Sequence, residues 1–315
     1  MGVSAVAEAF RIDPDALDGM RSRTRLRTLV DADGHLPASD PEAYDVLLTA
    51  HPAPPRPWVF VADVGRSADA LERVVVEHAT AASVLLGLLR TGGMLPVAEA
   101  ITVESLGYST LLGGQDFRNW LSRRRNPKAR TPVAHPVRVE RDGDVVTVTL
   151  ADPERLNAYS NEMRDSLAYV LDSCLLDPTR PEVVLRGDGR AFCSGGALDE
   201  FGCATELAEA HRVRVLQSAS RRLATLGERA TAVVHGAVVG SGIEIAAAAA
   251  RVVACGNAWF CLPELAMGLV PGAGGTVTIP RRIGRHRAAY LMLSGERLAA
   301  ADALAWGLVD EIAAP

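Results

Sequence analysis

Two glutamates stand in sequence surroundings that disfavour an ionised carboxylate. Glu244 closes the run His235-Gly236-Ala237-Val238-Val239-Gly240-Ser241-Gly242-Ile243-Glu244, and Glu264 follows Leu262-Pro263. Desolvating a carboxylate in mostly apolar or glycine-rich sequence costs several kcal/mol unless it is paired, protonated or reactive. Both residues are therefore candidates for acid–base work.

Other chemistries lose their signature. The histidines, among them His51, His78, His135, His211, His235 and His286, form no metal-ligand spacing, and H-E-x-x-H is absent, so no metal is expected. Gly236, Gly240 and Gly242 stop short of a dinucleotide fingerprint because Ile245 stands at its last position, and no G-x-S-x-G surrounds Ser194 or Ser241. Five cysteines, odd in number and without C-x-x-C, argue against a disulfide framework and fit a reducing cytoplasm. The start of the chain lacks a charged n-region and a sustained apolar core, so no signal peptide is expected. A net charge of -5 gives no global basic field, which makes nucleic acid an unexpected partner. The alternation Arg21, Arg23, Arg25, Arg27 and the cluster Arg281, Arg282, Arg285, Arg287 read as solvated faces. Residues 231–255 are poor in charge, yet His235, Glu244, Arg251 and three glycines argue for strand, turn and buried helix and against a membrane span.

The elements that must position the glutamates follow from composition and periodicity. A chain of 315 residues, 48% hydrophobic and 23% charged, is an ordinary globular one. Residues 1–65 are rich in Asp and Pro, including Pro37, Pro41, Pro52, Pro54, Pro55 and Pro57, and carry no assignable role. Residues 66–130 read as helical: Leu71, Val74, Val75, Ala82, Leu85, Leu86 and Leu89 recur at three- and four-residue steps, as do Val97, Ile101, Leu106, Tyr108 and Leu112. The basic, proline-bearing stretch from Arg123 to Pro132 reads as a linker. Across residues 131–315 strand and helix signals alternate: strands at 145–150, 183–186, 232–235 and 252–254, helices at 162–175 and 242–250. That is an α/β pattern, with the site expected at the loops of strand ends.

Five motifs in series carry a resemblance. They are Leu150-Ala151-Asp152-Pro153-Glu154-Arg155-Leu156-Asn157-Ala158-Tyr159-Ser160, then Gly189 to Gly196, the Glu244 run, Leu262-Pro263-Glu264 through Thr276, and Trp306-Gly307-Leu308-Val309-Asp310. Together they resemble the enoyl-CoA hydratase/isomerase (crotonase) superfamily over roughly residues 137–312. The resemblance implies a crotonase-like spiral of β-β-α repeats, here with an N-terminal helical segment, acting on an acyl-coenzyme A thioester without a separate cofactor. It implies that the N–H groups of Gly196 and Ser241 hold the thioester oxygen, with Asn157, Ala158, Ser194, Gly195, Gly240 and Gly272 along the substrate. Small residues there let backbone approach a ligand closely. Glu244 would activate water and Glu264 would protonate the α-carbon, since two carboxylates in one dry site separate in pKa. The family also implies a homotrimer or hexamer.

The sequence departs from the family pattern at two places. Ala197 stands where members usually carry Asp, with Asp199 and Glu200 shortly after. The usual C-terminal helices do not follow Asp310; residues 95–124 resemble them instead, with Trp120 at the place of a coenzyme-lining aromatic and Arg123 at that of a nucleotide-binding cation. The chain thus resembles a circularly permuted crotonase. The implied activity is hydration of a 2-enoyl thioester or the reverse. The alternatives are isomerisation of a 3-enoyl thioester through Glu264, cofactor-free dioxygenation of an arylacetyl thioester, and a non-catalytic acyl-CoA-binding scaffold.

Overall fold

The computed structural model describes residues 26–124 and 133–313. Most of the basic stretch read as a linker lies outside them, as do Arg21, Arg23 and Arg25. Among the described residues no single helix is long and apolar enough to cross a membrane.

The region left without a role contains a small parallel sheet, β1 (Thr28–Asp31), β2 (Val46–Thr49) and β3 (Val59–Phe60), in that order. Its centre, Val46-Leu47-Leu48, is completely buried. Helices α1 (Val64–Glu77), α2 (Ala79–Gly92), α3 (Val97–Leu112) and α4 (Gln115–Arg123) follow, as the apolar periodicity predicts. Asp63 caps α1 by accepting from the Arg66 N–H. A turn of 109° between α1 and α2 is not visible in the periodicity, which runs through it unbroken.

The remainder is built of strands that change sheet. β4 (Val137–Asp142) and β5 (Val145–Leu150) form an antiparallel hairpin. α5 (Asn161–Leu176) leads to β6 (Glu182–Gly187); α6 (Leu207–Leu216) and α7 (Ala219–Leu226) lead to β7 (Ala230–Val234). From β7 the chain turns at Gly236 into β8 (Ala237–Val239), then α8 (Ser241–Ala246). β9 (Arg251–Cys255) is followed by β10 (Trp259–Cys261), a short 3-10 turn at Glu264–Met267, and α9 (Gly275–Ile283) and α10 (Arg285–Ser294). β11 (Leu298–Ala299), α11 (Ala300–Trp306) and β12 (Glu311–Ala313) close the fold. β12, β9, β7, β6, β5 and β4 make a six-stranded sheet that is parallel except at β4–β5, while β11, β10 and β8 make a second sheet of three. Strand pairs β7/β8 and β9/β10 thus split between two sheets before a helical segment, which is the β-β-α repeat of a spiral. The observed helix at 241–246 is shorter than the stretch to 250 that the sequence suggests.

Among the described residues the main hydrophobic core runs from Val46 and Leu85 to Phe192, Val234 and Leu291, with a small second cluster of Ala100, Ile101 and Val277 beside it. The arginine cluster read as a solvated face is a correction: it knits the segments together. Arg281 Nη2 donates to Leu95 O (2.7 Å), Arg282 Nε to Leu308 O (2.8 Å), Arg285 Nη1 to Tyr44 O (2.9 Å) and Arg287 Nε to Trp58 O (3.0 Å). A guanidinium carries several donors in a fixed fork, so it satisfies carbonyls left open at the ends of elements.

Candidate active site

The loop after β6 is zipped to its neighbours by backbone. Phe192 N–H donates to His235 O (2.9 Å), Cys193 N–H to Ala237 O (3.2 Å), and Val239 N–H back to Cys193 O (2.9 Å). On its other side Tyr159 N–H donates to Gly195 O (2.8 Å) and Ala197 N–H to Tyr159 O (3.1 Å). Among the described residues the Gly196 N–H between them has no backbone partner. Ser241, first residue of α8, likewise has none, because the opening N–H groups of a helix lack intrahelical acceptors. Both residues line one cavity of about 160 Å3, together with Glu244, Glu264, Gly272 and Tyr108.

Glu244 is held at the start of α9. Its Oε2 accepts from Ala273 N–H (2.6 Å) and Gly275 N–H (2.9 Å). Burial pushes its carboxyl up to about 7, against the lowering effect of those two amides. Glu264 is differently placed: its Oε2 is sealed from solvent with no hydrogen-bond partner among the described residues. Burial first, then the negative charge of Glu244, raise its carboxyl well above the ordinary range. The two settings differ: two amides stabilise negative charge on Glu244, and none bonds Glu264 Oε2 among the described residues. Gly240, with φ of 50°, makes room for Glu264: a Cβ there would lie 2.6 Å from Glu264 Oε1.

A third carboxylate was not singled out in the sequence. Glu104 on α3 is buried, its Oε1 accepting from Gly274 N–H (2.7 Å) and its Oε2 from Thr276 N–H (2.8 Å) and Thr276 Oγ1 (2.7 Å). Burial, then the charge of Glu244, raise it to about 8. Its setting, Ala100-Ile101-Thr102-Val103-Glu104-Ser105-Leu106, is as apolar as that of Glu264, so the same desolvation argument would have found it.

The other predicted residues divide. Gly240 and Gly195 shape the loops, with φ of 50° and 99°. Gly272 meets the Tyr108 ring so closely that a Cβ would lie 2.4 Å from Cδ2. Asn157 is fully buried away from the cavity: its Oδ1 accepts from Asp152 N–H (2.9 Å) and its Nδ2 donates to Asp188 O and Ala191 O (2.9 Å each). Those bonds use the whole amide, so it supports the loop from behind. Ala158 and Ser194 do not line the cavity either; Ser194 N–H donates to Leu156 O (3.0 Å). Where the family's aspartate is replaced by Ala197, Asp199 bonds Arg155 Nη2 (2.8 and 2.9 Å) two residues on. Trp120 lies one layer back, its ring 5.9 Å from that of Phe201, which lines the cavity. Arg124, not Arg123, sits over that indole, 4.7 Å from its centroid, and Arg123 is exposed. Among the described residues no group of His, Cys, Asp and Glu is arranged to hold a metal.

A two-sheet spiral of β-β-α repeats is the fold of the crotonase class. The enoyl-CoA hydratase/isomerase family model matches residues 140–315, and the chain belongs to that family. Over 173 residues it is 36% identical to the 1,2-epoxyphenylacetyl-CoA isomerase of Escherichia coli (strain K12), covering 53% of this chain and 66% of that one. It is 34% identical over 174 residues to the 2,3-dehydroadipyl-CoA hydratase of the same organism, covering 55% of this chain and 68% of that one. The solved enoyl-CoA hydratase from Thermoplasma volcanium GSS1 superposes with a TM-score of 0.52 at 34% identity, over 56% of this chain and 71% of that one. The chain therefore spans about two-thirds of the length of such relatives.

Proposed function

We propose that the protein hydrates a 2-enoyl-CoA thioester, or runs the reverse dehydration. The observation that carries the reading is that two carboxylates in unequal settings, Glu244 clamped by two amides and Glu264 with its Oε2 unbonded, share one cavity with N–H groups of Gly196 and Ser241 that have no backbone partner among the described residues. Those N–H groups would donate to the thioester oxygen as negative charge develops on it; losing one such donor costs about 3 kcal/mol of transition-state stabilisation. Glu244, its ionised form stabilised by the Ala273 and Gly275 amides, takes a proton from water as it adds to the β-carbon. Glu264, protonated, delivers a proton to the α-carbon. Isomerisation needs only the second carboxylate, and would leave the clamped Glu244 without a task.

We read α3 and α4 as the counterpart of the helices that follow the catalytic region in other members of the family. Support comes from packing: α3 reaches the catalytic loop through Glu104 and lays Tyr108 on Gly272, and α4 places Trp120 against Phe201. Incubating the protein with 2-enoyl, 3-enoyl and arylacetyl thioesters and following products by mass tests the function. A gain of one water on the 2-enoyl substrate is expected. Double-bond migration alone, or oxygen incorporation, would replace the reading with isomerase or dioxygenase, and no product from any of them would leave a binding protein.

A further inference from the structure

We infer that the acyl pocket is built for an acyl group ending in a second anionic group, a carboxylate distal to the thioester, with Arg214 as its receptor. The inference deepens the thioester reading above and rests on it. Arg214 on α6 lines both the catalytic cavity and an adjoining one of about 570 Å3, as do Tyr108, Tyr159, Arg164 and Phe201. Its guanidinium is fixed by neutral groups alone: Nη1 donates to Ser105 Oγ (3.0 Å) and Ser109 Oγ (3.1 Å), and the guanidinium carbon lies 4.5 Å from the Tyr108 ring centroid.

Neighbouring arginines are each neutralised within the protein. Arg164 pairs with Asp165 (2.8 Å), Arg155 with Asp199 (2.8 Å) and Arg222 with Asp172 (2.7 Å). Among the described residues Arg214 has no carboxylate within the 4.0 Å of an ion pair. Acidic residues on the outer wall are engaged elsewhere: Glu209 by Arg212, Glu206 by Ala208 N–H, and Glu200 by Asn161 N–H. Among the described residues the desolvation of Arg214 is opposed by two hydroxyls, by Tyr108 and, from beyond ion-pair distance, by Glu104, while Arg164 adds like charge to it. A methyl-ended acyl chain would bury this cation further without a partner. A carboxylate would meet a preoriented fork with Nε and Nη2 outside the serine bonds, the geometry in which Arg binds planar anions best. The thioester end is then set by Gly196 and Ser241, and the distal end by Arg214.

The test is equilibrium binding, by calorimetry, of two saturated acyl-CoA thioesters of equal length, one ending in a carboxylate and one in a methyl group. Because no turnover is needed, failure of hydration and failure of this inference are separable. Wild type is expected to bind the carboxylate-ended thioester at least about tenfold more tightly, as a charge-assisted pair implies. Arg214→Gln is expected to reduce that ratio to near one, and Arg214→Lys to keep part of it. Equal or tighter binding of the methyl-ended thioester by wild type overturns the inference without any variant. A ratio that survives Arg214→Gln in folded protein overturns the role of Arg214.

Discussion

Glu104 and Glu244 grip successive residues at the start of α9 from opposite sides. Glu104 takes the N–H groups of Gly274 and Thr276, and Glu244 those of Ala273 and Gly275. Four donors that open a helix are thereby satisfied by two carboxylates, one from α3 and one from α8. Burial first, then the charge of Glu244, raises the proton affinity of Glu104.

Replacing Glu104 separates the two roles. Glu104→Ala leaves two buried amides and the Thr276 hydroxyl without a partner, and should cost about 3 kcal/mol of stability. Glu104→Gln keeps an acceptor and stands in for the protonated carboxyl that Glu104 carries while Glu244 ionises, since Glu104 is raised to about 8 and Glu244 to about 7. The acid limb of the kcat/KM profile is expected to stay in place in Glu104→Gln, while Glu104→Ala loses thermal stability. A limb that moves down in Glu104→Gln would show that Glu104 is charged when Glu244 ionises.

Stability should depend on pH in a way unusual for a protein. Glu104, Glu244 and Glu264 all have folded-state proton affinities above the ordinary 4.5 of a glutamate, to about 8 and about 7 for the first two. Between those values the folded state binds protons that the unfolded chain has released, so stability falls as pH rises through that window. Tm is expected to decline from pH 5 to pH 8, and the decline should shrink in Glu104→Gln. A flat or rising Tm over that range contradicts the burial of these carboxylates.

Gly240→Ala tests how tightly the site is fitted. The added methyl group would sit 2.6 Å from Glu264 Oε1, at a φ of 50° that strains alanine. We expect kcat to fall at least about tenfold with a loss of roughly 1–2 kcal/mol in stability. A variant with normal kcat would mean that Glu264 can move freely.

The α/β alternation and the carboxylate pair can be read in the sequence, because apolar patterning and the settings of Glu244 and Glu264 are local signals; the spiral is implied only by the resemblance of the motifs to a family. What could not be read is long-range. The strands at 28–31, 46–49 and 59–60 are short and separated by proline-bearing stretches, and as a sheet they pack against α1 and, far away in sequence, α10. Arg287 looks like surface until its partners, Trp58 O and Pro54 O, are brought beside it from more than two hundred residues away. Asn157 shows the converse: its motif marks it as a site residue, and its contacts make it a support for the loop.

The N-terminal part is expected to be inseparable from the rest. Leu48, Leu85, Leu89 and Phe117 belong to the same core as Val234 and Leu269. Exposing that face at roughly 25 cal/mol per Å2 removes more than the 5–15 kcal/mol that typically stabilises a domain. A fragment of residues 131–315 should aggregate or lose activity in size-exclusion and turnover assays. A soluble, active fragment would make residues 66–124 an appended module.

The central claim is that Glu244 and Glu264 divide base and acid between them on a 2-enoyl thioester. Its most direct test is the hydration rate of a crotonyl-type thioester by wild type, Glu244→Gln and Glu264→Gln, with thioester affinity measured in parallel. Each substitution should lower kcat by at least about 100-fold with affinity nearly unchanged, the usual contribution of general acid–base catalysis. Near-normal hydration by either variant would contradict the account.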